Sequence, residues 1–227
     1  MSASGPLFDD RREAGRRLGE ALRDPPLAAP IVFALPRGGV PVGYEVARAL
    51  EAPLEILLVR KIGAPGQPEY ALGAVADGAA PQIVLNPEAV ALFRPDPAYI
   101  EAESRRQLAE IERRRRAYVG ERPPLDCRSR TAVVVDDGIA TGSTARAALM
   151  ALRQAGAAAT ILAVPVAAGA SLPELRKLAD RVVCLATPSP FVAVGNHYAR
   201  FDQTGDEEVV ALLAAARTGQ QSERRQG

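Results

Sequence analysis

Residues 131–144, Thr-Ala-Val-Val-Val-Asp-Asp-Gly-Ile-Ala-Thr-Gly-Ser-Thr, leave few folds open to this chain. The run 131–135 is short, β-branched and apolar throughout, as in a strand buried on both faces of a parallel sheet. The Ala/Leu-rich stretch from Ala145 to Leu152 is helical by propensity and period. The segment therefore reads as strand, loop, helix, with Asp136 and Asp137 at the carboxyl end of the strand. That is where open α/β sheets bind ligands.

Gly138 and Gly142 allow successive backbone N–H groups to turn toward one point, and the following helix adds its positive end. Thr141, Ser143 and Thr144 add hydroxyls. The loop suits a phosphate monoester, yet two carboxylates precede it. A sugar phosphate reconciles the two, with hydroxyls donating to Asp136 and Asp137 and the phosphate seated in residues 138–144. The plain alternative is an ordinary strand-to-helix turn with Asp137 as a cap. The loop has neither the Lys of G-x-x-x-x-G-K-[ST] nor the spacing of G-x-G-x-x-G, so nucleoside triphosphate and dinucleotide sites fit poorly.

The acidic pair followed by Gly-Ile-Ala-Thr-Gly-Ser-Thr resembles the phosphoribosyl pyrophosphate (PRPP) motif of the type I phosphoribosyltransferases. The resemblance implies an α/β fold with a mainly parallel sheet flanked by helices, a flap with a helical insertion, and a small hood over the site. It also implies that Gly138, Ile139, Ala140, Thr141, Gly142, Ser143 and Thr144 hold the 5-phosphate. Asp136 and Asp137 would meet the ribose and act in catalysis. Adjacent strand residues point to opposite faces, so both can do so only if the strand has already broken at Asp136.

A second strand–loop–helix unit spans residues 30–50, with Arg37-Gly38-Gly39 in its loop. By the resemblance this loop holds the diphosphate, with Arg37 pairing to it; a tight turn with a solvated Arg is the alternative. The next strand is expected over 53–59, with Arg60 and Lys61 at its end. Lys61 is the candidate diphosphate contact and catalytic cation, against a plain surface Lys. Residues 61–76 suggest a hairpin flap that shields the reacting sugar from water. Residues 61–70 also look most like a bacterial and archaeal subgroup known largely as predicted phosphoribosyltransferases.

Residues 83–86 read as a short strand and 98–119 as a charged helix with Glu101–Arg105, Glu110–Arg114 and Glu112–Arg116 spaced i,i+4. The Arg run 113–116 is interleaved with Glu, which favours a solvated or interface helix over a nucleic-acid patch. Residues 7–23 form an amphipathic helix whose Arg11, Arg12, Arg16 and Arg17 are expected on a solvated face. Strands are expected at 157–166 and 180–185, separated by a short helix from Ser171 to about residue 179. A last helix begins near Asp206.

One domain is expected over 1–218, with an insertion at about 60–125, a hood at about 186–205 and a disordered tail at 219–227. In the hood Phe191 and Tyr198 could stack on an acceptor and His197, the sole histidine, could contact it. Core or interface roles compete for all three.

With 28 basic and 27 acidic residues there is no global case for nucleic-acid binding. No apolar run approaches the ~20 residues of a membrane span, and no signal-peptide core opens the chain, so a cytoplasmic protein without membrane partners is expected. Cys127 and Cys184 match no metal or redox pattern and read as free thiols. The expected partners are PRPP, a small-molecule acceptor and further copies of the chain in a homodimer or higher homo-oligomer. The cofactor is Mg²⁺, held mainly by PRPP with no direct protein ligand, or through water by Asp136 or Asp137. The expected activity is transfer of 5-phosphoribosyl from PRPP to a nitrogenous acceptor, a nucleobase by family analogy. The alternatives are a PRPP-sensing regulator without turnover, or a PRPP or sugar-phosphate hydrolase.

Overall fold

A computed structural model describes residues 5–223. Its centre is a five-stranded parallel sheet made of β1 (Pro30–Ala34), β2 (Leu54–Ile56), β6 (Thr131–Val135), β7 (Ala159–Val166) and β8 (Arg181–Ala186), in the order β2-β1-β6-β7-β8. Val32 registers with Val133, and Val133 with Ile161. The strands have no polar face because helices cover both sides. On one side Val32, Ala34, Val133 and Val135 pack with α1 (Arg11–Leu22), α2 (Gly39–Ala49) and α7 (Asp206–Glu223). On the other, Ile31, Phe33, Ala132 and Val134 pack against α5 (Ser143–Gln154) and α6 (Leu172–Leu178). The expected α/β fold with a mainly parallel sheet flanked by helices is the observed one.

Residues 59–85 form a second, antiparallel sheet of β3 (Val59–Ala64), β4 (Gln67–Ala76) and β5 (Gln82–Leu85). It lies between α5 and α4 (Pro97–Val119) and is followed directly by α3 (Pro87–Phe93), a helix the sequence reading lacks. The expected hairpin is present. The expected strand 53–59 is not continuous: β2 stops at Ile56, and Arg60 and Lys61 lie inside β3, paired to Val75 and Ala74.

Helix α4 matches the expected span, and its Glu101–Arg105, Glu110–Arg114 and Glu112–Arg116 pairs form at 3.0, 2.9 and 2.8 Å. Its other face is buried, and Arg115 corrects the solvated reading of the Arg run. Arg115 reaches Asp77 at 3.0 Å and Glu55 at 3.2 Å. Glu55, on edge strand β2 and 1 % exposed, also accepts from Arg122 at 2.8 Å and from the Leu125 N–H at 3.1 Å. Asp77 accepts from the Leu58 N–H at 2.7 Å, and burial pushes its carboxyl up to about 6 against the pull of Arg115. This network ties the inserted helix to the sheet edge.

Three further boundaries differ. Helix α1 starts at Arg11, capped by Asp10, which accepts from Glu13 N–H at 2.9 Å. Leu7 and Phe8 precede it because their backbone is paired elsewhere. Ser171 does not cap α6; its hydroxyl donates to Ala168 O. Helix α7 continues to Glu223, so 219–223 are helical where a disordered tail is expected, and 224–227 lie outside the described residues. Cys127 and Cys184 are free thiols. Among the described residues no helix is long and apolar enough to cross a membrane.

Replacing Glu55 by Leu leaves Arg122 and the Leu125 N–H without their buried acceptor. The expected loss is about 3–5 kcal/mol, read as a lower midpoint in equilibrium denaturation. An unchanged midpoint would show that the network does not hold α4 in place.

Candidate active site

Neighbouring parallel strands β1 and β6 end side by side, so the loops that follow them meet. Leu35 N–H donates to Val135 O at 2.9 Å, and the chain then turns through Pro36 and Arg37. The turn lies directly on the two carboxylates. A Cβ added at Gly38 would stand 2.0 Å from Asp137 Oδ2, so a side chain there would displace the acidic pair.

Strand β6 ends at Val135, which meets the geometric condition for both carboxylates to leave the sheet on the same side. Asp136 Oδ1 accepts from the Asp137 N–H at 2.9 Å. Asp137 Oδ2 accepts from Arg11 Nε at 2.8 Å, in an ion pair whose side chains are 12 % and 15 % exposed. Arg11 also donates to Asp202 O at 2.7 Å and lies 3.8 Å above the Phe201 ring. Arg11 is thus no solvated helix residue. Helical spacing could not reveal this, because its partner is 126 positions away.

Burial, and then the neighbouring Asp137, raise Asp136 well above the ordinary carboxylate range. Burial raises Asp137 as well, with Arg11 pulling it back. The two titrate as a pair.

Beyond them the loop runs only to Gly142, because Ser143 and Thr144, expected in the loop, already open α5. Ile139 is committed to the fold: its N–H donates to Val166 O at 2.9 Å and its carbonyl accepts from Ala168 at 2.8 Å. By contrast the N–H groups of residues 140–145 donate to no protein group among the described residues, and α5 has no side-chain cap. Gly142 sits at φ +78°, which turns the chain into the helix at no steric cost. These orphan donors, with the exposed Thr141, Ser143 and Thr144 and the positive helix end, make an anion cradle.

The segment expected as a hood is held by backbone pairing of residues 7–8 with residues 197–199. Leu7 and Phe8 N–H groups donate to His197 O, and Ala199 N–H donates to Phe8 O at 2.8 Å. Tyr198 is buried, its ring 5.4 Å from Phe8 and 5.1 Å from Phe201. Its hydroxyl donates to the Asp137 carbonyl at 2.5 Å. Burial, and then Asp137, raise that hydroxyl's pKa. Tyr198 therefore has no open face to stack on an acceptor; it positions the acidic loop. Phe191 and His197 are half-buried against each other at 5.2 Å, and His197 Nε2 is buried without a hydrogen-bond partner.

Arg37 is near the acidic loop and 3.7 Å from Asp206 of α7. Lys61 is elsewhere: it pairs with Glu69 at 2.6 Å and shares a cavity of about 410 Å³ with Ser143, Thr144 and Arg146. Its strand neighbour Arg60 points to the opposite face and shares Arg37's cavity.

The chain matches the family described as "Phosphoribosyl transferase domain" over residues 12–199. Two Mycobacterium tuberculosis relatives, each named "Putative phosphoribosyl transferase", are 47% identical over 210 residues, which is 92% of this chain. The match covers 47% of those proteins, so the chain spans about half the length of the curated relatives it matches. The crystal structure of TT1426 from Thermus thermophilus superimposes with a TM-score of 0.82 at 45% identity. It covers 92% of this chain and 98% of that one.

Arg11→Gln is expected to raise the titration of the acidic pair, visible in carboxyl ¹³C NMR. The native state would then keep protons that the unfolded chain has released above about pH 4. Stability should accordingly fall more steeply than in wild type as pH rises through the pair's titration. An unshifted carboxyl titration would contradict the role given to Arg11.

Proposed function

Because the chain belongs to the phosphoribosyltransferase family, we propose that it transfers the 5-phosphoribosyl group of PRPP to a nitrogenous acceptor, most simply a nucleobase. The observation that carries this reading is the set of unpartnered N–H groups at 140–145 directly after two half-buried carboxylates. An anion cradle beside acceptors for hydroxyl groups suits a sugar phosphate.

In this reading the 5-phosphate sits on residues 138–144 and the ribose hydroxyls donate to Asp136 and Asp137. The bond from C1 to the diphosphate oxygen breaks, and the electron pair leaves with the diphosphate toward Arg37, Gly38 and Gly39. Positive charge builds on the ring, and the two carboxylates stabilise it electrostatically. The acceptor nitrogen forms the new bond to C1 and its proton passes to solvent water. Asp137 keeps its orientation through Arg11 and through Tyr198 on its carbonyl.

Mg²⁺ takes oxygen ligands and keeps several waters. Diphosphate and ribose oxygens would supply most of them, and Asp136 Oδ2, which accepts no protein hydrogen bond among the described residues, suits a water-bridged contact. Lys61 shares a cavity with Ser143 and Thr144, and in this reading it would meet the diphosphate once it leaves Glu69. Phe191 and His197 are the hood residues available to an acceptor. A cytoplasmic location and a homo-oligomeric assembly belong to the same proposal.

The test is diphosphate release from PRPP with Mg²⁺ across a panel of purine and pyrimidine bases and amines. Acceptor-dependent release is expected, with Asp136→Asn and Asp137→Asn each lowering it roughly a hundredfold or more. Undiminished turnover in both variants would sink the role assignment. Release without any acceptor would make the protein a hydrolase, and tight PRPP binding without release would make it a sensor.

A further inference from the structure

Around the Pro36–Arg37 turn lies a cavity of about 80 Å³, far below the roughly 300–1,000 Å³ of a pocket for a whole organic ligand. Three guanidinium-bearing side chains line it from three separate segments: Arg37 from the loop after β1, Arg60 from β3 and Arg114 from α4. Thr144, at the start of α5, forms another wall, and among the described residues no carboxylate lines it.

None of the three cations has a carboxylate to itself within hydrogen-bond range. Arg60 Nε donates to the neutral Gln107 at 2.6 Å. Arg114 Nε reaches Glu110 at 2.9 Å, but Glu110 is also gripped by Arg113 through two hydrogen bonds of 2.8 Å. One carboxylate thus serves two arginines. Arg37 has Asp206 at 3.7 Å, beyond hydrogen-bond range, and Asp206 is already taken by Tyr118 at 2.8 Å. The cavity therefore carries excess positive charge next to the loop that faces Asp137.

Helix α4 is anchored at this turn. Arg115, the next residue, is buried between Glu55 and Asp77, which fixes the helix rotation that turns Arg114 toward Arg37.

We propose that Arg114 and Arg60, together with Arg37, bind the diphosphate end of the phosphoribosyl donor, so that the inserted helix supplies part of the leaving-group site. The inference rests on the donor assigned above. It adds two residues that lie outside both the acidic motif and the Arg37-Gly38-Gly39 loop. Guanidinium forks suit adjacent phosphoryl oxygens better than a single ammonium does, and the small volume suits phosphoryl groups without the acceptor.

Calorimetric titration with Mg²⁺-diphosphate and, separately, with ribose 5-phosphate tests this on the full chain. Arg114→Gln and Arg60→Gln should each weaken diphosphate binding by roughly tenfold to a hundredfold. Ribose 5-phosphate, which lacks the diphosphate, should bind both variants within about twofold of wild type. Arg105→Gln, on the same helix but paired with Glu101 and outside the cavity, should leave both ligands unaffected. Diphosphate binding unchanged in Arg114→Gln, or equal loss of both ligands, overturns the inference. Wild-type protein that binds neither ligand overturns the donor assignment itself, a result distinct from either variant's failure.

Discussion

Two carboxylates placed side by side under a glycine loop are the constraint on which this structure turns. Asp136 and Asp137 leave β6 together, and water is largely excluded by the Arg37-Gly38-Gly39 turn lying on them. Like charges in such a place raise each other's proton affinity unless a cation is brought in. Arg11 does this for Asp137, and much of the peripheral architecture serves to hold Arg11 there. Asp10 caps its helix, Phe201 lies under its guanidinium, and the Asp202 carbonyl takes another of its donors.

The segment before α1 and the segment at 197–199 meet at the same place. The backbone pairing of Phe8 with residues 197–199 brings Tyr198 beneath the acidic loop, where its hydroxyl caps the Asp137 carbonyl. This pairing therefore orients the acidic loop from outside its own strand. On the opposite side, the buried network of Glu55, Asp77, Arg115 and Arg122 sets α4 against the sheet edge. Buried ion pairs of this kind stabilise little in net terms but are costly to break. Their consequence here is geometric, because they set the helix turn that carries Arg114.

The strand–loop–helix units at 30–50 and 131–152 were legible because each is local. An apolar β-branched run, glycines and a helical period lie within about twenty residues, and hydrogen bonds of the same range form them. The paired charges on α4 were legible for the same reason, being one helical turn apart. What was not legible depended on distance or on strand phase. Arg60 and Lys61 are adjacent in sequence, and only the start of β3 at Val59 decides which of them faces Arg37. Tyr198 had the composition of a stacking residue, but its neighbours Phe8 and Phe201 bury the ring.

The amino-acid sequence by itself determined the parallel α/β core, the glycine-bearing turn between β6 and α5 and the acidic pair before it. These follow from short-range periodicity and from the conformational freedom of glycine, which need no partner elsewhere in the chain. Only the tertiary structure decided which cation meets that pair and how the pair is aimed. The Arg11–Asp137 contact spans 126 positions and the Tyr198–Asp137 contact 61, and no local pattern marks either end. It also decided that an arginine of α4 shares a cavity with the Pro36–Arg37 turn, since burial of Arg115 fixes where Arg114 points.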